Sequence, residues 1–309
     1  MRWALERASR ALEVSQRRAC RAMDQWRSTQ RYIERKTESD KPLVALMLEL
    51  ARKHPRYGYR RIHAMLRSEG FRVSKGRVHR LWRLHSLRVP AKTIRRRRLG
   101  SSENGVVRKR AERIDHVWCW DFVKDQTADG RPFKVLTIVD EFTRECLALQ
   151  VGRSIRSGDV IEVLRELLLV RGVPAFIRSD NGPEFIAGRV RGWLEEHEIG
   201  PLYIEPGAPW ENGYNESFNG KLRDECLNLE VFTSLAEAKV VIEDFRLEYN
   251  HRRPHSSLGY LPPAAYAATL RGGTPLRLAA LASAPSPHEA KTTNLHLTQT
   301  PKTLIQTGT

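Results

Sequence analysis

Val117-Trp118-Cys119-Trp120-Asp121-Phe122-Val123 is an apolar run interrupted by a single carboxylate. Read as a strand, it sets Val117, Cys119, Asp121 and Val123 on one face and Trp118, Trp120 and Phe122 on the other. Both faces are apolar, the mark of a central strand covered on both sides. An ionised Asp121 in that setting is costly unless a positive group or a metal ion offsets it. Working outward, Phe133–Val139 and Cys146–Val151 read as the next two strands, with Asp129-Gly130 as the turn between the first pair. Residues 158–171 read as a helix with Val160, Val163, Leu164, Leu167 and Leu168 inward. A strand at 175–179, a helix near 186–197, a short strand at 201–204 and helices at 213–228 and 235–249 follow. Three strands and then alternating helix and strand predict a mixed α/β sheet.

Two further acids stand in unusual places. Asp180 ends the run Ala175-Phe176-Ile177-Arg178-Ser179 and is followed by Asn181-Gly182. The C-terminal ends of strands are where open α/β sheets collect ligands. Glu216 lies 35 residues beyond Asp180, early in an amphipathic helix that brings Asn219 and Arg223 to the same flank. Hard oxygen donors with few histidines nearby suit Mg²⁺ or Mn²⁺ rather than zinc. Two such ions stabilise an in-line displacement at phosphorus, with water or a DNA 3′-hydroxyl attacking. Each acid also has a plainer reading. Asp121 fits a structural ion pair, Asp180 fits a cap on the Asn181-Gly182 turn, and Glu216 fits a solvated helix face. Spacing alone does not separate these, because the chain holds 36 acidic residues. Asp140 and Glu184 read as turn and structural acids, and Cys119 as a small core residue.

The net charge of +17 is polarised. Residues 1–110 hold 31 Lys and Arg against 9 Asp and Glu, a balance of +22, so the remaining residues are at −5. A basic front on a mildly acidic body predicts a nucleic-acid-binding module joined to a catalytic one. The four cysteines form no CxxC pair, which excludes a zinc knuckle and a disulfide framework and fits a reducing compartment. No apolar run is long enough to span a membrane.

Along the front, residues 1–40 read as short helices, with Leu5, Ala8 and Leu12 on one face and Ala19, Met23 and Trp26 on another. Ser15 is placed to cap the second. Residues 41–88 read as a helix-turn-helix DNA-binding domain. Pro42 opens its first helix, Gly70 ends its second and Ser74 caps its third. The third helix turns Val78, Leu81, Trp82 and His85 inward and shows Lys75, Arg77, His79, Arg80 and Arg83, the pattern of a helix that reads the major groove. An ordinary solvated face is the alternative. Residues 89–112 form a basic linker whose Arg95-Arg96-Arg97-Arg98 run is suited to phosphates but not to base edges. Residues 113–262 make the core, and 263–309 read as a flexible tail.

Several motifs then combine: Trp120-Asp121-Phe122, Val139-Asp140-Glu141-Phe142-Thr143-Arg144, Ser179-Asp180-Asn181-Gly182-Pro183-Glu184-Phe185, Pro209-Trp210-Glu211-Asn212-Gly213-Tyr214-Asn215-Glu216-Ser217-Phe218-Asn219 and Tyr249-Asn250-His251-Arg252-Arg253-Pro254-His255. Together they resemble the integrase core of bacterial insertion-sequence transposases of the OrfB type, which also resembles retroviral integrases. Tyr57-Gly58-Tyr59-Arg60-Arg61-Ile62 is similar to the helix-turn-helix region of the same proteins. The resemblance covers roughly residues 10–265.

It implies a ribonuclease-H-like fold and a DDE triad at Asp121, Asp180 and Glu216 that holds two Mg²⁺ ions, with Asp121 bridging them and Mn²⁺ as a substitute. It also implies DNA contacts from Arg60 and Arg61. Asn219, Lys221 and Arg223 would position the DNA backbone. The implied substrates are double-stranded DNA, the element's terminal inverted repeats and target DNA, cut and joined by a homo-oligomer at the nucleoid of a bacterial cytoplasm. The His/Cys zinc module of retroviral integrases has no counterpart here. The family often fuses an upstream frame to this one, so an upstream-frame partner or fusion is expected. A nuclease of the same fold that cuts without joining, and a non-catalytic DNA-binding regulator, are the competing readings.

Overall fold

A computed structural model describes residues 7, 11–28, 36–90, 109–179, 188–203 and 213–272, with backbone only at 36–39. The chain divides into two compact units, Met1–Glu49 and Leu50–Thr309.

In the first unit, helix α1 (Gln16–Ala22) is capped by Ser15, whose Oγ accepts from Arg18 N at 3.3 Å. Ala19 and Cys20 are buried with Val14 packed on them. Met23 and Trp26, expected on the same apolar face, are exposed because α1 stops at Ala22. The expected face of Leu5, Ala8 and Leu12 lies largely outside the described residues, and Leu12 itself is exposed. Helix α2 (Lys36–Lys53) begins six residues before Pro42 and carries that proline inside it. A proline has no N–H to donate to the carbonyl four residues back, so α2 runs through one missing bond instead of starting there.

The second unit opens with α3 (Tyr59–Ser68) and α4 (Lys75–Leu84). Gly70, at φ 89°, ends the first of these, and Ser74 Oγ caps the second by accepting from Arg77 N at 3.2 Å. Ile62, Leu66, Val78, Leu81 and Trp82 are buried, whereas His85 is exposed just past the end of α4.

Next come β1 (Val117–Gln126), β2 (Pro132–Asp140), β3 (Cys146–Gly152), α5 (Ser157–Arg171), β4 (Phe176–Ser179), α6 (Gly188–Glu196), β5 (Gly200–Tyr203) and α7 (Gly213–Leu222). A π-turn (Arg223–Leu227), α8 (Leu235–His251), a 3-10 turn (Ser256–Leu258) and α9 (Pro263–Leu270) complete the described chain. The region expected to be a tail from 263 therefore starts with a helix. Pro263 fits an N-terminal helical position, where no N–H bond is lost, and Ala267 is buried.

The strands form one sheet in the order β3-β2-β1-β4-β5, antiparallel through β1 and parallel beyond it. The alternation in β1 builds both cores. Trp118 and Trp120 join Val160, Ile161 and Leu164 of α5 and Val190, Trp193 and Leu194 of α6. On the other face Cys119 and Val123 join Phe218 and Leu222 of α7 and Ala238, Ile242 and Tyr249 of α8. This is a mixed sheet with helices on both faces, the ribonuclease-H-like arrangement. Burying each large side chain contributes about 1.5–3 kcal/mol, so the two layers together hold β1 at the centre. At the edge, β5 approaches β4 so closely that a Cβ on Gly200 would lie 2.6 Å from the Phe176 ring.

Candidate active site and nucleic-acid interface

Asp121 lies on β1 just past its pairing with β4. Strand β1 pairs with β4 only over Val117–Cys119 and Phe176–Arg178. Asp121 lies two residues beyond the last of these pairs. It is half-buried rather than buried, although its strand is central as expected. Asn219 Nδ2 donates to Asp121 Oδ2 at 2.8 Å, and Phe122 N donates to Oδ1 at 2.7 Å.

Asn219 is thus turned onto Asp121. Thr137, opposite Asp121 on β2, lies 3.1 Å from Asn219 Oδ1 and 3.2 Å from Asn215 Oδ1 through its hydroxyl. Arg223 Nη2 donates to Lys124 O at 3.2 Å. These contacts lay α7 along β1, with Asn219 at Asp121 and Arg223 at Lys124. Glu216 sits one turn before Asn219 on the same flank and is exposed. Its place in the first turn suits the positive end of the helix dipole. Asp180 follows Ser179, the last residue of β4, and lies outside the described residues. So do Arg95, Arg96, Arg97 and Arg98. Among the described residues no three His, Cys, Asp or Glu side chains converge as a metal site. Asp121 and Glu216, both oxygen donors, fit a hard divalent ion on chemistry.

Of the two acids read as structural, Glu184 lies outside the described residues and Asp140 makes turn contacts. Asp140 is buried, and its Oδ2 accepts from Thr143 N at 3.0 Å and Thr143 Oγ1 at 2.6 Å. Its Oδ1 has no hydrogen-bond partner, and burial pushes the carboxyl up to about 6 against the pull of the Thr143 bonds. Glu141 Oε1 accepts from Arg178 Nε at 2.7 Å in a buried pair beside Ser179. That pair fixes the end of the strand that leads to Asp180.

A second constellation was not anticipated. Glu225, on the π-turn, accepts from Arg253 Nε at 2.6 Å and Nη2 at 2.7 Å, and from Arg61 Nη1 at 3.3 Å. Arg253 is 1% exposed and lies over the Tyr57 and Tyr249 rings. Burial works against its charge, but the Glu225 bonds outweigh burial and hold the guanidinium above its ordinary value. Arg61, expected at the DNA, pairs with Glu225 and stays partly exposed. Arg56 pairs with Asp224 at 3.4 Å, and His54 with Glu248 at 3.1 Å. Asn250 clips β3 to α8, donating to Cys146 O at 2.8 Å and accepting from Cys146 N at 2.9 Å. The motifs at 57–62 and 249–255 contained these residues, but no periodicity links partners so far apart.

Family models for an integrase core domain match residues 111–209 and 197–263, and one for an HTH-like domain matches residues 38–98. An insertion element IS476 protein of Xanthomonas euvesicatoria is 41% identical over 270 residues, covering 87% of this chain and 77% of that protein. An insertion element IS407 protein of Burkholderia multivorans is 39% identical over 265 residues, covering 84% and 93%. The chain belongs to the insertion-sequence transposase family. The transposase for IS629 of Shigella sonnei is 26% identical over 218 residues, covering 68% of this transposase and 73% of that one. Among solved structures, a simian T-cell lymphotropic virus intasome chain superposes with a TM-score of 0.45 at 15% identity, over 80% of this chain and 76% of that one.

This transposase is a DDE-type enzyme of DNA transposition, cutting and joining DNA strands with divalent metal. Its HTH-like segment presents Lys75, His79 and Arg80 outward on α4 and Arg60 outward on α3, with Arg77 half-buried. The His79 ring packs on Tyr59 at 4.4 Å, and Arg60 Nε donates to Tyr59 Oη at 3.3 Å. Lys221 Nζ donates to Ser217 O at 3.0 Å and Ser217 Oγ at 2.8 Å.

Proposed function

We propose that Asp121, Asp180 and Glu216 form the catalytic triad and hold two Mg²⁺ ions, replaceable by Mn²⁺, with Asp121 shared. The observation that carries this reading is the 2.8 Å bond from Asn219 to Asp121, which seats the Glu216-bearing flank of α7 beside Asp121 on β1. Asp180 is joined directly to β4, whose end the Arg178–Glu141 pair holds. Bound there, the ions would stabilise the attacking and leaving oxygens of an in-line displacement at phosphorus. The protein's own part is to orient Asp121 through Asn219, to keep α7 in register through Thr137 and Arg223, and to bring DNA phosphates to this site. No side chain is needed as nucleophile.

The substrate ends are the element's terminal inverted repeats, read by α4 through Lys75, Arg77, His79 and Arg80, with Arg60 and the 95–98 arginines on phosphates. The same site then joins the cut end to target DNA. The helix-turn-helix segment at 41–88, the linker at 89–112 and the core at 113–262 divide this work. Two ends are processed together, so the active form is a homo-oligomer, with an upstream-frame protein as a further partner, working on the nucleoid in the cytoplasm.

A labelled duplex ending in the terminal repeat, with a plasmid target, tests the reading. Asp121→Asn, Asp180→Asn and Glu216→Gln should each abolish nicking and joining while DNA binding is retained. Normal nicking by any one of the three overturns the triad. Nicking without joining by the wild type would mark a nuclease instead.

A further inference from the structure

Thr137, on β2 opposite Asp121, and Asn215, on the buried stripe of α7, are both fully buried. The Thr137 hydroxyl lies 3.1 Å from Asn219 Oδ1, 3.2 Å from Asn215 Oδ1 and 3.2 Å from Asp121 O. All three are acceptors, and a hydroxyl has one hydrogen to give. Asn215 Nδ2, meanwhile, is buried with no hydrogen-bond partner. Buried N–H groups are paired in nearly all cores, because water is not there to replace a missing partner. The same contact therefore holds too many acceptors and, on the other atom of one amide, an idle donor.

Asp121 sets the direction of the whole network. A carboxylate has no hydrogen to offer, so Asn219 faces it with Nδ2, at 2.8 Å. Asn219 Oδ1 then points at Thr137 and needs a donor there. The Thr137 hydrogen goes to that oxygen, and the Thr137 lone pairs are left to accept. The oxygen and nitrogen of an amide have nearly the same shape, so turning the Asn215 amide over displaces no neighbour. It puts Nδ2 where Oδ1 stands, 3.2 Å from Thr137 Oγ1. Two bonds then form where one was possible. Asn215 Oδ1 is left unpaired instead, a lesser defect than an orphaned N–H. We propose that Asn215, Thr137 and Asn219 form a one-way hydrogen-bond relay, from Asn215 Nδ2 to Thr137 Oγ1, from Thr137 to Asn219 Oδ1, and from Asn219 Nδ2 to Asp121. Thr137 and Asn215 are thereby positioning residues for the Asp121 carboxylate. Without the Thr137 hydroxyl, the Asn219 amide is free to turn over and present an oxygen to the carboxylate, which repels it. The direction of the relay rests on these contacts alone, and its bearing on metal rests on the reading of Asp121 as a ligand.

Neutron diffraction from deuterium-exchanged crystals of the full chain, grown without metal, reads the direction. Deuterium on the Asn215 atom that faces Thr137, with the Thr137 deuterium aimed at Asn219, is expected. A Thr137 deuterium aimed at Asn215 overturns the relay. The positioning role is read by calorimetric titration with Mn²⁺ in the absence of DNA. Thr137→Val keeps the branched shape and removes the hydroxyl. It should weaken Mn²⁺ binding about tenfold, the low end for a group that orients a metal ligand, and Thr137→Ser should restore it. In an Asn219→Ala background Thr137→Val should bring no further loss, because the relay is already cut. Wild-type Mn²⁺ affinity in a folded Thr137→Val protein, or a full further loss in that background, overturns the positioning role. If Thr137→Val does not fold, the deuterium positions in the wild type still decide the relay. If Asp121→Asn binds Mn²⁺ as the wild type does, the metal reading of Asp121 fails, and those positions again decide the relay by themselves.

Discussion

Asn219 donates its side-chain amide to Asp121 Oδ2 at 2.8 Å, and that bond joins the central strand to the helix that carries Glu216. An amide is a neutral donor. It orients the carboxylate without cancelling its charge, which leaves Asp121 able to serve a cation. A lysine or arginine in the same place would compete with metal.

Replacing Asn219 should therefore act through Asp121. Asn219→Ala frees the carboxylate to rotate and should cut nicking by about 10–100-fold, the range for a group that orients a metal ligand. A titration of nicking rate against Mg²⁺ should move to higher concentration, while binding to random-sequence duplex stays as in the wild type. A lower rate with an unchanged metal midpoint would mean that Asn219 merely packs the helix.

Arg253 and Glu225 form the most buried ion pair near the HTH-like segment. Removing one partner strands the other, so Arg253→Met should cost about 3–5 kcal/mol in denaturant unfolding. The double variant Arg253→Met with Glu225→Leu should recover much of that loss, because it buries no lone charge. Additive losses in the cycle would show that the two do not act as a pair.

Lys221 is pushed down to about 7, chiefly by burial and then by Arg253, Arg61 and Arg144 against the pull of Glu225. Phosphate binding favours the protonated amine, so binding takes up a proton wherever the free amine is neutral. Affinity for duplex should be highest below pH 7 and fall above it, by at most about tenfold per pH unit. Lys221→Gln should remove that decline. His255 stays neutral across the window and does not contribute to it.

Asp140 gives a pH signature of the opposite origin. Burial raises its carboxyl from 3.8 to about 6. Its contribution to stability is complete below pH 3.8 and is lost as pH rises through 6, an effect on the order of 3 kcal/mol. Asp140→Asn cannot ionise, so the difference between wild type and variant in urea unfolding should change sign or shrink between the two ends of that window. A constant difference would place the proton elsewhere.

The fold was legible wherever one physical rule dominated. Two apolar faces made β1 central, and Ser74, Gly70 and Asp129-Gly130 punctuated the elements as their side chains and φ freedom dictate. Punctuation failed where proline was ambiguous: Pro42 sits inside α2, and Pro263 starts α9 instead of opening a tail. Glu216 and its flank were readable from helical spacing, whereas the Asn219–Asp121 bond was not, because it depends on three-dimensional packing. The Arg61–Glu225–Arg253 cluster was invisible for the same reason, joining side chains 164 and 28 residues apart.

The π-turn after α7 is one residue of surplus length inside a helix. Asn228 N reaches back five residues to Arg223 O at 2.9 Å, where an α-helix would reach four. One residue corresponds to about 100° of phase, so a deletion between 223 and 227 would leave Glu216 and Asn219 pointing where they do and swing Glu225 away from both arginines. The count of residues in this turn, more than their identity, keeps two sets of side chains in step. A one-residue indel there would uncouple α7 from the HTH-like segment that supplies Arg61.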